Sequence, residues 1–286
     1  MKITKSDGTV EEFSKEKLEA SLRRSGAASD AAVNIAEDVA RGTREGATTH
    51  DVYRRAFALL REHRRTAAAR YSLKRAVLEF GPSGFPFESY LAEIFRAEGF
   101  DASTDRHIRG RCVEHEVDVV LSGRGEEIYV EAKFHNTAGF KTDLQVAMYV
   151  QARVEDIAAR LAGGEAGGVP LIRGMLVTNT KFTSLAIEYA ECQKLEMLSW
   201  DYPAGRTLHD RIEAAKVYPI TALSTLSRGE KASLMTDQVV LCRDLTRHED
   251  ALARAGVRGN RLSEVLVESG GLCDISGVSA PPALPE

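Results

Sequence analysis

Two short apolar runs with charges set inside them constrain this chain most: Glu116-Val117-Asp118-Val119-Val120-Leu121 and, beyond a glycine-containing turn, Ile128-Tyr129-Val130-Glu131-Ala132-Lys133. Short runs rich in Val, Ile and Tyr between turn signals read as buried strands. Side chains alternate along a strand, so Glu131 and Lys133 share one face while Val130 and Ala132 take the other. If the strands pair across residues 122–126, Asp118 lies close to Glu131 and Lys133, and two carboxylates converge with an ammonium. Charges on a buried strand are costly and the carboxylates repel, a conflict that a divalent cation removes. Mg2+ or Mn2+ suits such a place, because Mg2+ prefers oxygen ligands and is commonly held by one or two carboxylates plus phosphate oxygens. Asp118 and Glu131 are therefore the expected metal ligands. Lys133 is expected to orient the nucleophile or stabilise developing negative charge, and phosphodiester hydrolysis is the reaction that fits.

The remaining sequence sorts around this pair of strands. Residues 2–4 and 9–13, joined through Asp7-Gly8, read as a hairpin, followed by helices over 15–24 (capped by Ser14), 30–41, 49–62 (Thr49 as cap) and 66–79. The run Gly81-Pro82-Ser83-Gly84-Phe85-Pro86 breaks the helical pattern and marks a boundary. Beyond it the expected order is helix 87–98, strands near 102–104, 116–121 and 127–133, a long helix 143–161, strand 174–178, helix 184–193 and strand 196–200. A glycine-rich loop at 163–168, with Pro170, joins the long helix to the next strand. Helices follow over 207–216, 222–226, 230–236 and 262–268, and the proline-rich end is expected to be disordered. The expected fold is α/β, or α+β overall: a β-hairpin with a helical bundle over 1–82, a mixed-sheet core over 85–203, a small helical unit over 204–273 and a tail over 274–286.

Composition narrows the function. With 43% hydrophobic and 28% charged residues the 286-residue chain can bury more than one core, and no apolar run approaches the roughly 18 residues of a membrane helix. No signal peptide is legible at the N-terminus, so a cytoplasmic location is expected. The cysteines, Cys112, Cys192, Cys242 and Cys273, are scattered and read as reduced thiols rather than a zinc ribbon. A net charge of -4 excludes coating of nucleic acid through bulk positive charge, so contact with it must be local. Between Arg41 and Phe80 ten basic residues stand against four acidic ones, which fits a solvated helix face or a phosphate-binding one.

The order of helix, three strands, helix, strand, helix and strand, together with Asp118 and Glu131-Ala132-Lys133, resembles the PD-(D/E)xK nuclease superfamily and within it the Mrr-like restriction endonuclease domain, over residues 85–203. The resemblance implies that Asp118 and Glu131 bind the metal and that Lys133 is the catalytic lysine. It also implies that Glu88, in the opening helix, supports the site and that Gln145, on the following helix, faces the active centre. Read locally, Glu88 is equally a first-turn glutamate favoured by the helix dipole, and Gln145 a surface residue. Gly174-Met175-Leu176-Val177-Thr178-Asn179-Thr180-Lys181-Phe182-Thr183 resembles the Mrr-like strand and turn entering the last helix. His107, Arg109 and Arg111 read as a basic turn able to meet a phosphate backbone, and His135 as a residue behind Lys133.

Residues 1–80, through Ile3-Thr4-Lys5-Ser6-Asp7-Gly8, Glu12-Phe13-Ser14-Lys15-Glu16-Lys17-Leu18 and Tyr71-Ser72-Leu73-Lys74-Arg75, resemble an ATP-cone, a nucleotide-sensing domain best known in ribonucleotide reductases. The resemblance implies ATP or dATP as a regulatory ligand, with Ile3, Lys5 and Lys17 at family motif positions. Ser6 stands where the family has arginine and offers only a neutral hydroxyl to a phosphate. No Walker loop is present, so sensing rather than ATP hydrolysis is expected. Residues 221–231 read as helix, tight turn, helix and distantly resemble helix-hairpin-helix modules that hold DNA backbones. These readings combine into a Mg2+-dependent endodeoxyribonuclease of restriction or defence type acting on double-stranded DNA, responsive to an adenine nucleotide and working as a homodimer or higher homo-oligomer. The competing reading is a nucleotide-responsive DNA-binding regulator whose nuclease fold is catalytically silent.

Overall fold

The computed structural model describes residues 1–5, 8–81, 84–123, 125–162 and 171–274. Ser6, Asp7, Pro82, Ser83, Arg124, the glycine-rich loop at 163–170 and the tail beyond 274 lie outside the described residues. The chain forms two compact units, one built from residues 1–77 together with those from 218 onward, the other from Leu78–Val217.

The first unit opens with β1 (Lys2–Thr4) and β2 (Val10–Glu12), an antiparallel pair. Ser14 Oγ caps α1 (Lys15–Arg24) by accepting from Lys17 N. Helix α2 (Ser29–Gly42) and α3 (Thr49–His63) complete a bundle whose core joins Leu18, Leu22, Ile35, Val39, Ala56 and Leu60, residues spaced three or four apart on each helix. The cap of α3 is Thr48 rather than the expected Thr49: Asp51, three residues on, closes a reciprocal capping box with Thr48. The helix expected over 66–79 is two, α4 (Arg65–Tyr71) and α5 (Leu73–Leu78), parted at Ser72, whose Oγ turns back to Ala69 O at 2.9 Å.

The second unit holds a five-stranded mixed sheet. It opens with α6 (Phe85–Ala97), whose Pro86 stands in the first turn where no backbone donor is needed. Strands β3 (Asp101–Arg109), β4 (Glu114–Gly123) and β5 (Glu126–Lys133) pair antiparallel, the first far longer than expected, so that His107 and Arg109 lie on a strand and not in a turn. Then come β6 (Lys141–Thr142), α7 (Leu144–Ala162), β7 (Leu171–Thr178), β8 (Lys181–Phe182), α8 (Ser184–Gln193), β9 (Glu196–Leu198) and α9 (Leu208–Ala215). The sheet order is β3-β4-β5-β7-β9, with β5, β7 and β9 parallel, and β6 pairs separately with β8. Helix α6 packs on β3 and β4, while α7 lays Ala147, Val150, Val154 and Ile157 against Tyr129 and Leu176 of the sheet.

The chain then returns to the first unit with α10 (Arg228–Thr236), α11 (Glu249–Arg254) and α12 (Asn260–Cys273). Helix α12 packs on α4 so closely that a Cβ on Gly271 would stand 3.1 Å from Thr66 Cγ2. Arg70 of α4 reaches Leu272 O at 3.5 Å and lies over the Tyr218 ring. The helix expected over 222–226 is a single 3-10 turn, Ile220–Ala222. The backbone N–H groups and hydroxyls of Ser224 and Thr225, inside the segment read as helix-hairpin-helix, all donate to the buried carboxylate of Glu268 at 2.7–2.9 Å. These four donors are therefore engaged within the fold. No helix among the described residues is long and apolar enough to cross a membrane.

Candidate active site

The ladder between β4 and β5 runs from Gly123 opposite Glu126 to Val119 opposite Val130 and ends there. One step further, where Asp118 faces Glu131, the strands fork. The Ala132 N–H donates to Asp118 Oδ2 at 2.7 Å, so a carboxylate stands where a backbone carbonyl would continue the ladder. Strand β5 remains paired with β7 on its other side as far as Lys133 opposite Thr178. The fork therefore opens one edge of β5 while the other holds it in place.

Glu131 points toward α7. Its Oε2 accepts from Arg153 Nη1 at 2.5 Å, and Arg153, only 9% exposed, also donates to Tyr149 OH at 3.0 Å and lies over that ring. Asp118 and Glu131 each engage one oxygen, and among the described residues Asp118 Oδ1 and Glu131 Oε1 have no protein partner. Burial pushes the Asp118 carboxyl up to about 6, reinforced by the charge of Glu131 and opposed by the Ala132 N–H and by Arg153. Glu88, on the first turn of α6, is pushed up to about 7 by burial and then by the carboxylates of Asp118, Glu116, Asp105 and Glu131. The structure thus brings Glu88, Asp118 and Glu131 into one electrostatic neighbourhood from three separate elements. Asp105, with φ 53 in the middle of β3, sits opposite the fork and belongs to the same neighbourhood.

Lys133 is exposed and forms no ion pair among the described residues. Gln145 lies exposed on the first turn of α7, and the spacing 145, 149, 153 puts it on one stripe with Tyr149 and Arg153. His135 is half-buried, its Nε2 3.1 Å from Thr142 Oγ1, and burial and then Lys133 hold its imidazole below the ordinary value. Arg153 went unrecognised in the sequence; its trace is a cation at helical spacing between Val150 and Ile157, inside an apolar stripe. Asp156, three residues later on the neighbouring face, accepts from Cys112 N at 2.9 Å and from His115 Nε2 at 2.8 Å, and so ties the β3–β4 turn to α7. A Cβ at position 110 would run into the Asp156 carboxylate and force it out of place. Arg109 at the end of β3 and Arg111 in the turn are both exposed.

Among the described residues no group of three His, Cys, Asp or Glu side chains stands positioned to hold a metal ion. The donor set nevertheless fits Mg2+ or Mn2+, which needs one or two carboxylates and keeps its waters. Two facing carboxylates, the charge of one raising the proton affinity of Asp118 and each with an oxygen to spare, are chemically suited to such a cation.

In the first unit, Ile3 is a core side chain, and Lys5 and Lys17 both approach Glu11 Oε2, at 2.8 and 3.9 Å. Tyr53 stacks face to face on Tyr71, with ring centroids 5.4 Å apart, and Arg75 lies over Tyr53.

Comparison with known proteins agrees with this division. Residues 1–77 match the ATP cone domain, 82–202 the restriction endonuclease family of Mrr type, and 218–273 the AF1548-like C-terminal family. A relative from Archaeoglobus fulgidus, described as an uncharacterized protein, is 32% identical over 180 residues, which is 63% of this chain and 97% of the relative. The crystal structure of AF1548, a protein of unknown function, superposes with a TM-score of 0.54 at 30% identity and covers 68% of this chain and 100% of that one. A repair endonuclease from Pyrococcus abyssi is similar at 22% identity with a TM-score of 0.31, covering 41% of this chain and 46% of its own. The chain belongs to the AF1548-like family and joins, in order, an ATP cone domain, a restriction-endonuclease domain and an AF1548-like C-terminal domain.

Proposed function

We propose that the chain is a metal-dependent DNA endonuclease whose activity responds to ATP or dATP bound by the cone. The observation that carries this reading is Asp118 facing Glu131 at a fork in the sheet, with Glu88 in their electrostatic reach and the exposed ammonium of Lys133 two residues along the same strand. Asp118 and Glu131 hold the divalent cation, which when bound supplies Lewis acidity toward a phosphodiester. Lys133 donates hydrogen bonds to the attacking water or to the charge that develops on phosphate. Glu88, titrating near 7, can take up the proton that water gives away at neutral pH. Gln145 offers its amide to substrate from the exposed start of α7, and Arg109 and Arg111 meet the DNA backbone. Cleavage of both strands by one site per chain calls for two copies. In the cone, nucleotide phosphates compete with Glu11 for Lys5 and Lys17.

Plasmid DNA incubated with the full chain and Mg2+ or Mn2+, with and without ATP, is the test. Nicking that EDTA abolishes and Lys133→Ala cuts to a slow residual rate supports the nuclease; DNA bound but never cut under either metal would move the weight to the DNA-binding regulator. The Arg153–Glu131 ion pair is the feature that favours that second reading, because it engages a ligand oxygen. Equilibrium dialysis with ATP and dATP decides the sensor, and absence of binding at millimolar nucleotide retires it.

A further inference from the structure

Thr178, Asn179 and Thr180 are three consecutive polar side chains with no solvent exposure, 0% each, and the reading above gives them no part. Buried polar groups are retained where they are hydrogen-bonded, so their partners identify what they do. The β5–β7 ladder stops at Lys133 opposite Thr178. Thr178 Oγ1 donates to the Lys133 carbonyl at 2.8 Å, and Thr180 holds that hydroxyl from behind, its Oγ1 3.2 Å away. Asn179 then grips the next turn of chain from both sides: its Nδ2 donates to His135 O at 2.7 Å, and its Oδ1 accepts from His135 N at 2.8 Å. The amide reproduces the pair of bonds a further strand residue would have made. The His135 ring is fixed in turn, near Thr142 Oγ1 and stacked on Phe140. Upstream, the Ala132 N–H is held by Asp118. The backbone at Lys133 is thus pinned one residue before and two residues after it, at the point where β5 leaves its sheet.

We propose that Thr178 and Asn179 are positioning residues for Lys133, fixing the root of a long flexible side chain so that its ammonium reaches one place beside Asp118 and Glu131. The assignment rests on the nuclease reading. A misplacement of about 1 Å in such a group can cost on the order of a hundredfold in rate without weakening substrate binding.

The test compares Thr178→Val, which keeps shape and loses the hydroxyl, with Thr178→Ser, which keeps the hydroxyl, and with Asn179→Ala, all in the full chain and well below their melting temperatures. Thr178→Val and Asn179→Ala are expected to lower kcat on plasmid DNA about 10- to 100-fold with KM within about threefold, and Thr178→Ser to stay within about threefold of wild type. In a Lys133→Ala background the residual rate should not change further with Thr178→Val, because the hydroxyl acts through that lysine. A wild type that cuts no DNA overturns the nuclease reading and this assignment together. An active wild type overturns the assignment alone if folded Thr178→Val and Asn179→Ala keep its kcat, if Thr178→Ser falls as far as Thr178→Val, or if the losses add to that of Lys133→Ala.

Discussion

Asp118→Asn should make the metal-free protein more stable at pH 8 and leave its stability at pH 4 unchanged. The asparagine keeps an oxygen for the Ala132 N–H, so only the charge is removed. Asp118 titrates at about 6 in the fold against an ordinary 3.8, because it is buried and faces Glu131. Its folded pKa lies above its unfolded one, so between these values the folded chain holds a proton that the unfolded chain has released. The stability this gives is complete below pH 4 and is lost as pH rises through 6. Two pKa units at about 1.4 kcal/mol each amount to about 3 kcal/mol, and solvent screening at a partly exposed group brings this to about 1–2 kcal/mol. The neutral amide of the variant escapes the loss, which should appear as a midpoint about 2–6 °C higher than wild type at pH 8. Thermal unfolding in EDTA from pH 4 to pH 8 measures it. Mg2+ should raise the wild-type midpoint more at pH 8 than at pH 5 and the variant little at either. A variant less stable than wild type at pH 8, or offset equally at every pH, would refute the claim that ionised Asp118 opposes the fold.

Other perturbations follow from single contacts. Arg153→Met leaves Glu131 without its buried partner and should destabilise the protein by about 3 kcal/mol in urea unfolding; an unchanged midpoint would show the ion pair to be idle. Glu268→Gln removes the charge that four donors from Ser224 and Thr225 address and should cost about 2 kcal/mol by the same assay, with no effect expected if those donors turn to solvent freely. Asp156→Asn should speed amide exchange at Cys112, where the carboxylate holds the turn, while exchange along β5 stays as it was.

The pair of charged strands was legible because the information is local: alternation along five or six residues places Glu131 and Lys133, and the short turn brings Asp118 beside them. The partners that came from far away in the chain were not. Arg153 meets Glu131 across 22 residues, and Glu268 meets Ser224 across 44, and periodicity says which face such a residue occupies but not what waits there. Two adjacent threonines show a finer limit, since choosing Thr48 over Thr49 as the cap depends on seeing that Asp51 completes the box with the first. Strand β3 outran its expected length because His107 and Arg109 carry the charge of a loop yet pair with Glu116 and Glu114 across the hairpin. Glu88 was expected from resemblance alone, and its place beside the carboxylates depends on how α6 crosses β3 and β4.

The first unit is assembled from residues on either side of the second, and this sets an order of events during synthesis. The cone leaves the ribosome first, but α4 cannot receive α12 until the stretch Tyr218–Cys273 has followed the whole of Leu78–Val217. At about 5–20 residues per second, that last stretch takes several seconds to about ten. The sheet with its carboxylate fork can therefore finish folding while the unit that encloses it in sequence is still open, and a chain cut short before α12 would release a completed sheet unit joined to an unsealed cone.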